Sequence, residues 1–282
     1  MKIVLGTANF NTNYGVLKNN LKNKELIEIL KSCKNNNIDS IDTAIGYKDL
    51  SKNILKIKNS WKIYTKVSTT DKSYNIKLSK IFKTYNKAKI YLLIHKPDDL
   101  KNIDFLKKIE NLKKVKKIKI GISVYSPNEI YESYKKFKFN FVQAPGNLFD
   151  NRFILNIKLK KFLKKNKIEL FIRSIYLQGV LTRDIKFILK KFPGLLKPIR
   201  SIQKVFGKDE NLLKNLSLRW VLGNSFINGY VIGVNNKKEF LENLNMIKKF
   251  KREKNKNINQ IKNIVKRFKI SNRIIDPSKW YY

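Results

Sequence analysis

Short apolar segments rich in Ile, Val, Tyr and Phe alternate along the chain with Lys-rich segments of helical length. This alternation is typical of buried strands that are separated by helices packed against them. Eight strands are predicted, at residues 2–6, 38–42, 62–66, 90–95, 117–123, 139–143, 168–173 and 229–233. Predicted helices include residues 24–36, 50–56, 103–114, 127–138, 210–222, 237–249 and 261–268.

The spacing of these units predicts an α/β fold of the (β/α)8 TIM barrel type. The polar residues that end six successive strands lie 20 to 30 residues apart, close to the roughly 30 residues per unit of such a barrel. They are Asp42, Lys66, His95, Ser123, Gln143 and Arg173. We expect residues 1–282 to form one barrel domain with a helical and aromatic tail from about residue 250. A doubly wound open sheet is the alternative architecture.

Composition adds a formal charge of +41, from 62 Lys and Arg against 21 Asp and Glu. Only eight of the basic residues are Arg, the residue that reads guanine edges, and Lys is spread along the chain together with Asn and Ile. We interpret the charge as solvated lysine faces without a specific nucleic-acid partner; a polyanion-binding surface is the alternative. A single cysteine, Cys33, and the lack of an apolar run of roughly 18 residues predict a cytoplasmic protein without a membrane partner.

Four residues of complementary chemistry are predicted to meet at one rim of the barrel. Asp42, Lys66 and His95 end three consecutive strands, and Tyr47 follows Asp42 by five residues. Active sites of such barrels lie at the carboxyl ends of the strands. A tyrosine whose pKa is lowered by a lysine, itself held by an acid, donates a proton, and a neutral histidine orients a carbonyl oxygen. The set predicts carbonyl reduction, although each residue alone also has a purely structural interpretation. The sequence contains no HExxH or CxxC pattern, so no metal site is predicted.

The chain resembles the aldo-keto reductases. The resemblance rests on LGTANF at 5–10, IDTAIGY at 41–47, TK at 65–66, IYLLIH at 90–95, GISVYSP at 121–127, FVQAPGNLFD at 141–150 and GVNNKKEFLEN at 233–243. It implies an oxidoreductase that binds NADP(H), with NAD(H) as the alternative, and a catalytic tetrad of Asp42, Tyr47, Lys66 and His95. Several phrases are similar to a bacterial branch found among surface-polysaccharide genes. That similarity implies polysaccharide biosynthesis and a sugar-derived carbonyl as the small-molecule substrate.

The family pattern, carried over position by position, implies further site residues. The implied cofactor-binding residues are Gly6, Thr7, Ser123, Gln143, Arg173, Ser174, Gly233, Val234, Asn235, Lys237, Glu242 and Asn243. The sequence offers Phe10, Tyr14, Phe149, Arg152 and Tyr176 as rim residues for the substrate. The chain departs from the family where Val124 replaces a common Asn and where Arg173 replaces the aromatic ring that stacks on the nicotinamide. Asn235 and Asn236 stand where Lys or Arg is common. The alternative function is a non-catalytic NADP(H)-binding accessory or redox-sensing subunit.

Overall fold

Eight parallel strands form a closed barrel in which each strand pairs with the next along the chain and the last pairs with the first. The protein is described by a computed structural model that covers residues 2–10, 16, 21–44, 50–253 and 257–280. The strands are β1 (Lys2–Gly6), β2 (Ser40–Ala44), β3 (Lys62–Val67), β4 (Lys89–Ile94), β5 (Lys119–Ser123), β6 (Phe141–Pro145), β7 (Glu169–Arg173) and β8 (Gly229–Gly233).

Helices follow the strands and cover the outside of the barrel. They are α1 (Asn23–Asn35), α2 (Ser51–Lys56), α3 (Tyr74–Thr84), α4 (Ile103–Val115), α5 (Pro127–Lys136), α6 (Ile157–Lys165), α7 (Ile185–Lys191), α8 (Leu196–Phe206), α9 (Leu212–Leu222), α10 (Lys237–Arg252), α11 (Ile258–Val265) and α12 (Asn272–Ile275). The apolar stripe of α1, formed by Leu26, Ile29, Leu30 and Cys33, is buried against the barrel.

Closure of the sheet decides between the two predicted architectures. β1 pairs with β8 over five residue pairs, from Lys2 opposite Gly229 to Gly6 opposite Gly233. An open doubly wound sheet would leave both edge strands without a partner on one side. The barrel prediction is therefore confirmed, and the open sheet is excluded.

Two strands begin and end later than the sequence pattern predicts. β2 spans Ser40–Ala44 rather than residues 38–42. Asn37 adopts a left-handed φ of 56°, and the Ile38 amide donates to the carbonyl oxygen of Cys33, so these residues close the end of α1 instead. β6 spans Phe141–Pro145 rather than residues 139–143. Asp42 and Gln143 are therefore central residues of their strands.

Aromatic rings fill the barrel interior nearer the amino ends of the strands. Tyr64 stacks on Tyr91 with ring centroids 4.5 Å apart, and the Phe141 ring meets Tyr64 edge-on at 5.7 Å. The Phe171 centroid lies 5.3 Å from that of Tyr64. A Cβ on Gly121 would lie 2.5 Å from the Phe141 ring, so this packing requires a strand residue without a side chain. The aromatic layer closes the barrel from below and leaves its upper end for polar groups.

The C-terminal segment packs on the outside of the barrel. α11 contacts α8 and α9, which belong to the insertion between β7 and β8. The predicted helix at residues 261–268 thus lies three residues earlier, at Ile258–Val265. The Trp280 ring is buried against Phe192, with ring centroids 5.1 Å apart. In the described part of the chain, none of the helices has both the length and the apolar character needed to cross a lipid bilayer.

Candidate active site

A cavity of about 600 Å³ opens at the carboxyl ends of the strands. It brings together three of the four predicted catalytic residues, Asp42, Lys66 and His95. Nine of the residues predicted to bind a cofactor also line it: Gly6, Ser123, Gln143, Arg173, Ser174, Gly233, Asn235, Glu242 and Asn243. The described residues of the C-terminal segment, 257–280, do not reach the cavity.

The floor of the cavity is a buried ion pair between Asp42 and Lys66. The Lys66 Nζ lies 2.7 Å from both carboxylate oxygens, and both side chains are almost wholly buried. In the register of β2 and β3, Lys66 lies opposite Ala44 rather than Asp42. The lysine therefore reaches back along the neighbouring strand to Asp42, and its position is fixed by that contact.

Hydrogen bonds from Gln143 and Thr7 support the Asp42 end of the pair. The Gln143 Nε2 donates to the Asp42 Oδ1 at 2.8 Å across the barrel from β6. The Thr7 amide and hydroxyl both donate to the backbone carbonyl oxygen of Asp42 at 3.0 Å. A buried ion pair is stable only when hydrogen bonds satisfy the remaining polar atoms of its members. Thr7 thus acts on the backbone behind the site and does not line the cavity.

Desolvation lowers the pKa of both Lys66 and His95. Desolvation inside the barrel lowers the pKa of the Lys66 ammonium, and the Asp42 carboxylate opposes that change. Desolvation against the cavity wall also lowers the pKa of His95, and the charge of Lys66 lowers it further. Since an ordinary histidine has a pKa of about 6.5, the His95 imidazole is neutral at pH 7. A neutral imidazole has one N–H donor to offer to an oxygen in the cavity.

A buried carboxylate fixes the two loops that carry Lys66 and His95. The Asp99 Oδ1 accepts hydrogen bonds of 2.8 Å from the Ser68 hydroxyl and from both the amide and the hydroxyl of Thr69. Its Oδ2 accepts from the Lys96 amide at 3.0 Å. Ser68 follows Lys66 by two residues, and Lys96 follows His95 directly. Asp99 therefore ties the ends of β3 and β4 together. The sequence analysis missed this residue, whose only signal was its position four residues after the histidine.

The loop after β8 leads into α10 at one end of the cavity. The Asn236 side chain caps the helix by accepting from the Glu239 amide at 2.8 Å. The Glu239 carboxylate accepts from the Asn235 amide at 2.8 Å and from its side chain. An acid already occupies the first turn of this helix, so a phosphate at the cavity would depend on side-chain cations more than on the helix N-terminus.

Neighbouring lysines at the start of α10 have different surroundings. Lys237, which the sequence predicted as a cofactor residue, does not line the cavity, because its Nζ pairs with Glu28 of α1 at 2.8 Å. Lys238 lines the cavity instead. Glu242 also lines it and is paired with Lys214 of α9 at 2.8 Å. Of these two adjacent lysines, Lys238 is therefore the one that lines the cavity.

The loop after β7 holds a strained backbone at the cavity edge. Ser174 has a φ of 59°, and Leu177 and Gln178 also adopt the left-handed conformation before Gly179. Such conformations are costly for residues other than glycine and persist where surrounding contacts fix them. The Asn147 side chain donates to the Ser174 carbonyl oxygen at 3.2 Å, which holds this turn. Arg173 precedes it, and its guanidinium stacks 4.5 Å from the Tyr125 ring centroid.

Several predicted residues do not line the described cavity. Phe10 and Phe149 are buried in the apolar core. Arg152 is held by the fully buried Asp150, whose oxygens accept from its Nε at 2.9 Å and its Nη2 at 2.7 Å. Val234, the first residue of the loop after β8, is buried in the same core. Tyr47 and Tyr14 lie outside the described residues.

Tyr176 is the one predicted substrate residue that the described structure places on the cavity wall. Its hydroxyl donates to the Asn243 Oδ1 at 2.5 Å, and burial raises the pKa of its phenol. This contact ties the loop after β7 to α10. The cavity is also lined by residues that were not predicted from the sequence: Asn9, Lys96, Tyr125, Gln178, Gly179, Arg183, Asn211, Lys214 and Glu239. Lys96 and Tyr125 lie close in the sequence to predicted site residues. The cavity residues of α9, in contrast, can be assigned to the site only once the fold is known.

The cavity residues fit a nicotinamide dinucleotide. The buried Gln143 Oε1 has no hydrogen-bond partner among the described residues, and it offers an acceptor for the amide N–H of a carboxamide. Ser123 lines the same wall. Six cationic side chains line the cavity against three carboxylates, which suits a ligand that carries phosphates. Gly6 and Gly233 pair in the register of β1 and β8, where a Cβ on Gly6 would lie 2.9 Å from the Val231 side chain and one on Gly233 would lie 3.2 Å from the Asn9 side chain.

The closed (β/α)8 barrel carries a buried acid–lysine pair and a neutral histidine at its upper end. This combination of fold and site is typical of barrel enzymes. The sequence model of the "Aldo/keto reductase family" matches residues 2–265. The chain belongs to this family and is an oxidoreductase. Members of the family reduce carbonyl groups with nicotinamide cofactors, which agrees with the cavity described above.

Solved structures support the fold at low sequence identity. Aldo-keto reductase AKR11C1 from Bacillus halodurans, in its apo form, is 16% identical, with a TM-score of 0.68 over 96% of this chain and 95% of that one. The glycerol dehydrogenase AKR11B4 from Gluconobacter oxydans is also 16% identical, with a TM-score of 0.66 over 95% of this chain and 93% of that one. No curated protein sequence matches the chain significantly. At this identity the two structures show the same fold and nothing about the substrate.

Because Asp99 holds the two loops of the site, its replacement should destabilise the protein far more than replacement of the neighbouring Asp98. Asp99→Asn replaces one acceptor oxygen by an amide donor and leaves at least one buried donor unpaired, so it should lower the free energy of unfolding by about 1–3 kcal/mol. Asp98→Asn is the matched control, since the exposed Asp98 side chain pairs with Lys101 at the surface, and it should change stability by less than about 0.5 kcal/mol. Urea unfolding of both variants measures this, and equal losses would show that Asp99 has no special role.

Proposed function

We propose that this protein is an NADP(H)-dependent reductase that converts an aldehyde or ketone to the alcohol, and that residues 1–282 form one catalytic domain. The observation that carries the proposal is the buried Asp42–Lys66 pair, which lies in the same cavity as a neutral His95. This combination supplies an oriented cation and an uncharged hydrogen-bond donor at one place. Both are suited to a carbonyl oxygen that gains negative charge during reduction.

The bound nicotinamide supplies the hydride that adds to the carbonyl carbon. Within the protein, His95 donates a hydrogen bond to the carbonyl oxygen and so fixes the face of the carbonyl that is attacked. Tyr47 donates its phenolic proton to the same oxygen, which completes the alcohol. The assignment of Tyr47 rests on the family resemblance of the segment IDTAIGY. Lys66 stabilises the resulting phenolate, and Asp42 holds Lys66 in place.

Recognition of the dinucleotide is assigned to the residues of the cavity wall. Ser123 and the Gln143 Oε1 hold the carboxamide, and the planar guanidinium of Arg173 is placed to stack on the ring. Tyr125 covers one face of this guanidinium, which keeps it in a fixed plane. Lys238 supports the choice of NADP(H), because it is a cation on the cavity wall next to the loop after β8. The similarity to the bacterial branch found among surface-polysaccharide genes assigns the substrate to the class of sugar-derived carbonyls.

Replacement of the proposed proton donor tests the reaction. Tyr47→Phe removes the acidic proton and keeps the ring, so kcat for carbonyl reduction should fall by about 10²- to 10⁴-fold. Tyr131→Phe on α5, where the ring packs on Phe162 outside the cavity, is the matched control and should keep its activity. The measurement is NADPH oxidation over a panel of aldehydes and keto-sugars. Unchanged turnover in Tyr47→Phe would contradict the role of Tyr47. Tight NADPH binding by the wild-type protein without any turnover would favour the non-catalytic subunit.

The two adjacent lysines of α10 test the choice of dinucleotide. Lys238→Met should weaken NADPH binding by about tenfold and leave NADH binding nearly unchanged, because only NADPH carries the 2′-phosphate. Lys237→Met makes the same change in net charge outside the cavity and should leave both affinities alone. Quenching of tryptophan fluorescence measures the dissociation constants at physiological salt. Equal affinity of the wild-type protein for NADH and NADPH would contradict the NADP(H) assignment.

A further inference from the structure

The charged groups of the cavity form two sets at different places. One set lies on the loop after β7, on α9 and on α10, and contains the cations Arg183, Lys214 and Lys238 together with two glutamates. The other set lies at the ends of β2, β3, β4 and β7 around His95 and contains Asp42, Lys66, Lys96 and Arg173. The first set is next to the loop assigned to the dinucleotide phosphates. The second set surrounds the place assigned to the carbonyl group.

Around His95 the positive charges are not balanced. Asp42 is paired with Lys66, so this acid and this base compensate each other. Neither Lys96 nor Arg173 has an ion pair with a carboxylate within the described ranges of the chain. Two acids lie on the same loop: Asp98 pairs with Lys101, and the four hydrogen bonds of Asp99 come from Ser68, Thr69 and the Lys96 backbone. Two cations therefore face the cavity beside His95, and neither is ion-paired with a carboxylate of the described residues.

Both cations are attached to fixed parts of the cavity wall. Arg173 extends from β7 to the end of β5, where its guanidinium stacks on Tyr125 and its Nη2 lies 3.5 Å from the Val124 carbonyl oxygen. The backbone of Lys96 is held through its amide by Asp99. The charges of Lys96 and Arg173 both contribute to the lowered pKa of His95, which places them within electrostatic range of the imidazole.

A neutral substrate in the cavity would displace water from Lys96 and Arg173 without offering either cation a negative charge in return. Desolvation of an unpaired charge is costly, whereas an anion in the same place forms charge-assisted hydrogen bonds. We propose that the carbonyl substrate carries an anionic group, a carboxylate or a phosphate, which Lys96 and Arg173 bind while the carbonyl lies at His95. This inference rests on the proposed reductase function and adds the charge of the substrate to it.

The position of this subsite differs from the one that the sequence suggested. Arg152 was the basic rim residue offered for the substrate, but the buried Asp150 neutralises it outside the cavity. Arg173 instead lines the cavity at the end of β7, and Lys96 lines it at the end of β4. The anionic group would therefore bind on the β4–β5 side, away from α10.

Matched pairs of aldehydes test the inference. The carboxylate arm compares 4-carboxybenzaldehyde with its neutral methyl ester, and the phosphate arm compares glyceraldehyde 3-phosphate with glyceraldehyde. The wild-type protein should favour the anion over its neutral partner by at least about tenfold in kcat/KM in one arm, and the arm that shows the preference identifies the group. Lys96→Met should reduce this ratio to about one third or less. For the aromatic pair, the same ratio measured as dissociation constants in the complex with NADP⁺ does not depend on turnover.

Lys107→Met is the control for the strong positive charge of the whole surface. Lys107 is exposed on α4 and outside the cavity, so this variant should keep the wild-type ratio. Equal turnover and equal binding of anionic and neutral partners would overturn the inference and leave the reductase function intact. An equal loss of preference in Lys96→Met and Lys107→Met would also overturn it, because the overall field would then explain the preference. Reduction of no carbonyl by the NADPH-bound protein would overturn the proposed function itself.

Discussion

The buried ion pair of Asp42 and Lys66 is the interaction on which the rest of the site depends. Taking two charges out of water is costly, and a short contact to both carboxylate oxygens together with a donor from Gln143 offsets that cost. If either partner is removed, the other remains as an uncompensated charge inside the barrel. The pair also joins three strands, β2, β3 and β6, at one level. Any change that shifts one of these strands changes the position of the cation.

The barrel supplies the conditions for this pair in two layers. Below it, the rings of Tyr64, Tyr91, Phe141 and Phe171 pack against each other and exclude water from the interior. Above it, Asp99 holds the loops that follow Lys66 and His95, so that the two side chains keep their relative position. The site is therefore built on strands from below and fixed by one buried carboxylate from above. This division explains why a polar cavity is compatible with a closely packed core.

The eight strands were predictable from the sequence because apolar runs of strand length recur at a nearly constant spacing, and each run is buried on both faces. The starts of β2 and β6 were not, since Ile38 and Phe139 are apolar residues of turns that look like strand residues in a one-dimensional pattern. Asp42, Lys66 and His95 were predictable because strand ends of a parallel barrel converge on one rim.

The surroundings of individual charges were not predictable in the same way. Whether Lys237 or Lys238 faces the cavity depends on the rotation of α10 and on Glu28, a residue more than two hundred positions away. The neutralisation of Arg152 depends on the burial of Asp150, which follows from the packing of the loop after β6. The function of Asp99 as a clamp depends on the loop after β3, and its only signal in the sequence is its position four residues after His95. Pairing between distant elements thus decides which cations remain available for a ligand.

The most direct test of the Asp42–Lys66 pair is a double-mutant cycle on the rate of hydride transfer in a single turnover. The rates of the wild-type protein, Asp42→Asn, Lys66→Met and the double variant are compared at saturating NADPH with one accepted aldehyde. If the two residues act as one unit, the rate of the double variant should be within about threefold of the rate of Lys66→Met. Once Lys66 is replaced, Asp42 has no lysine left to hold in place. A double variant whose loss equals the product of the two single losses would contradict this account.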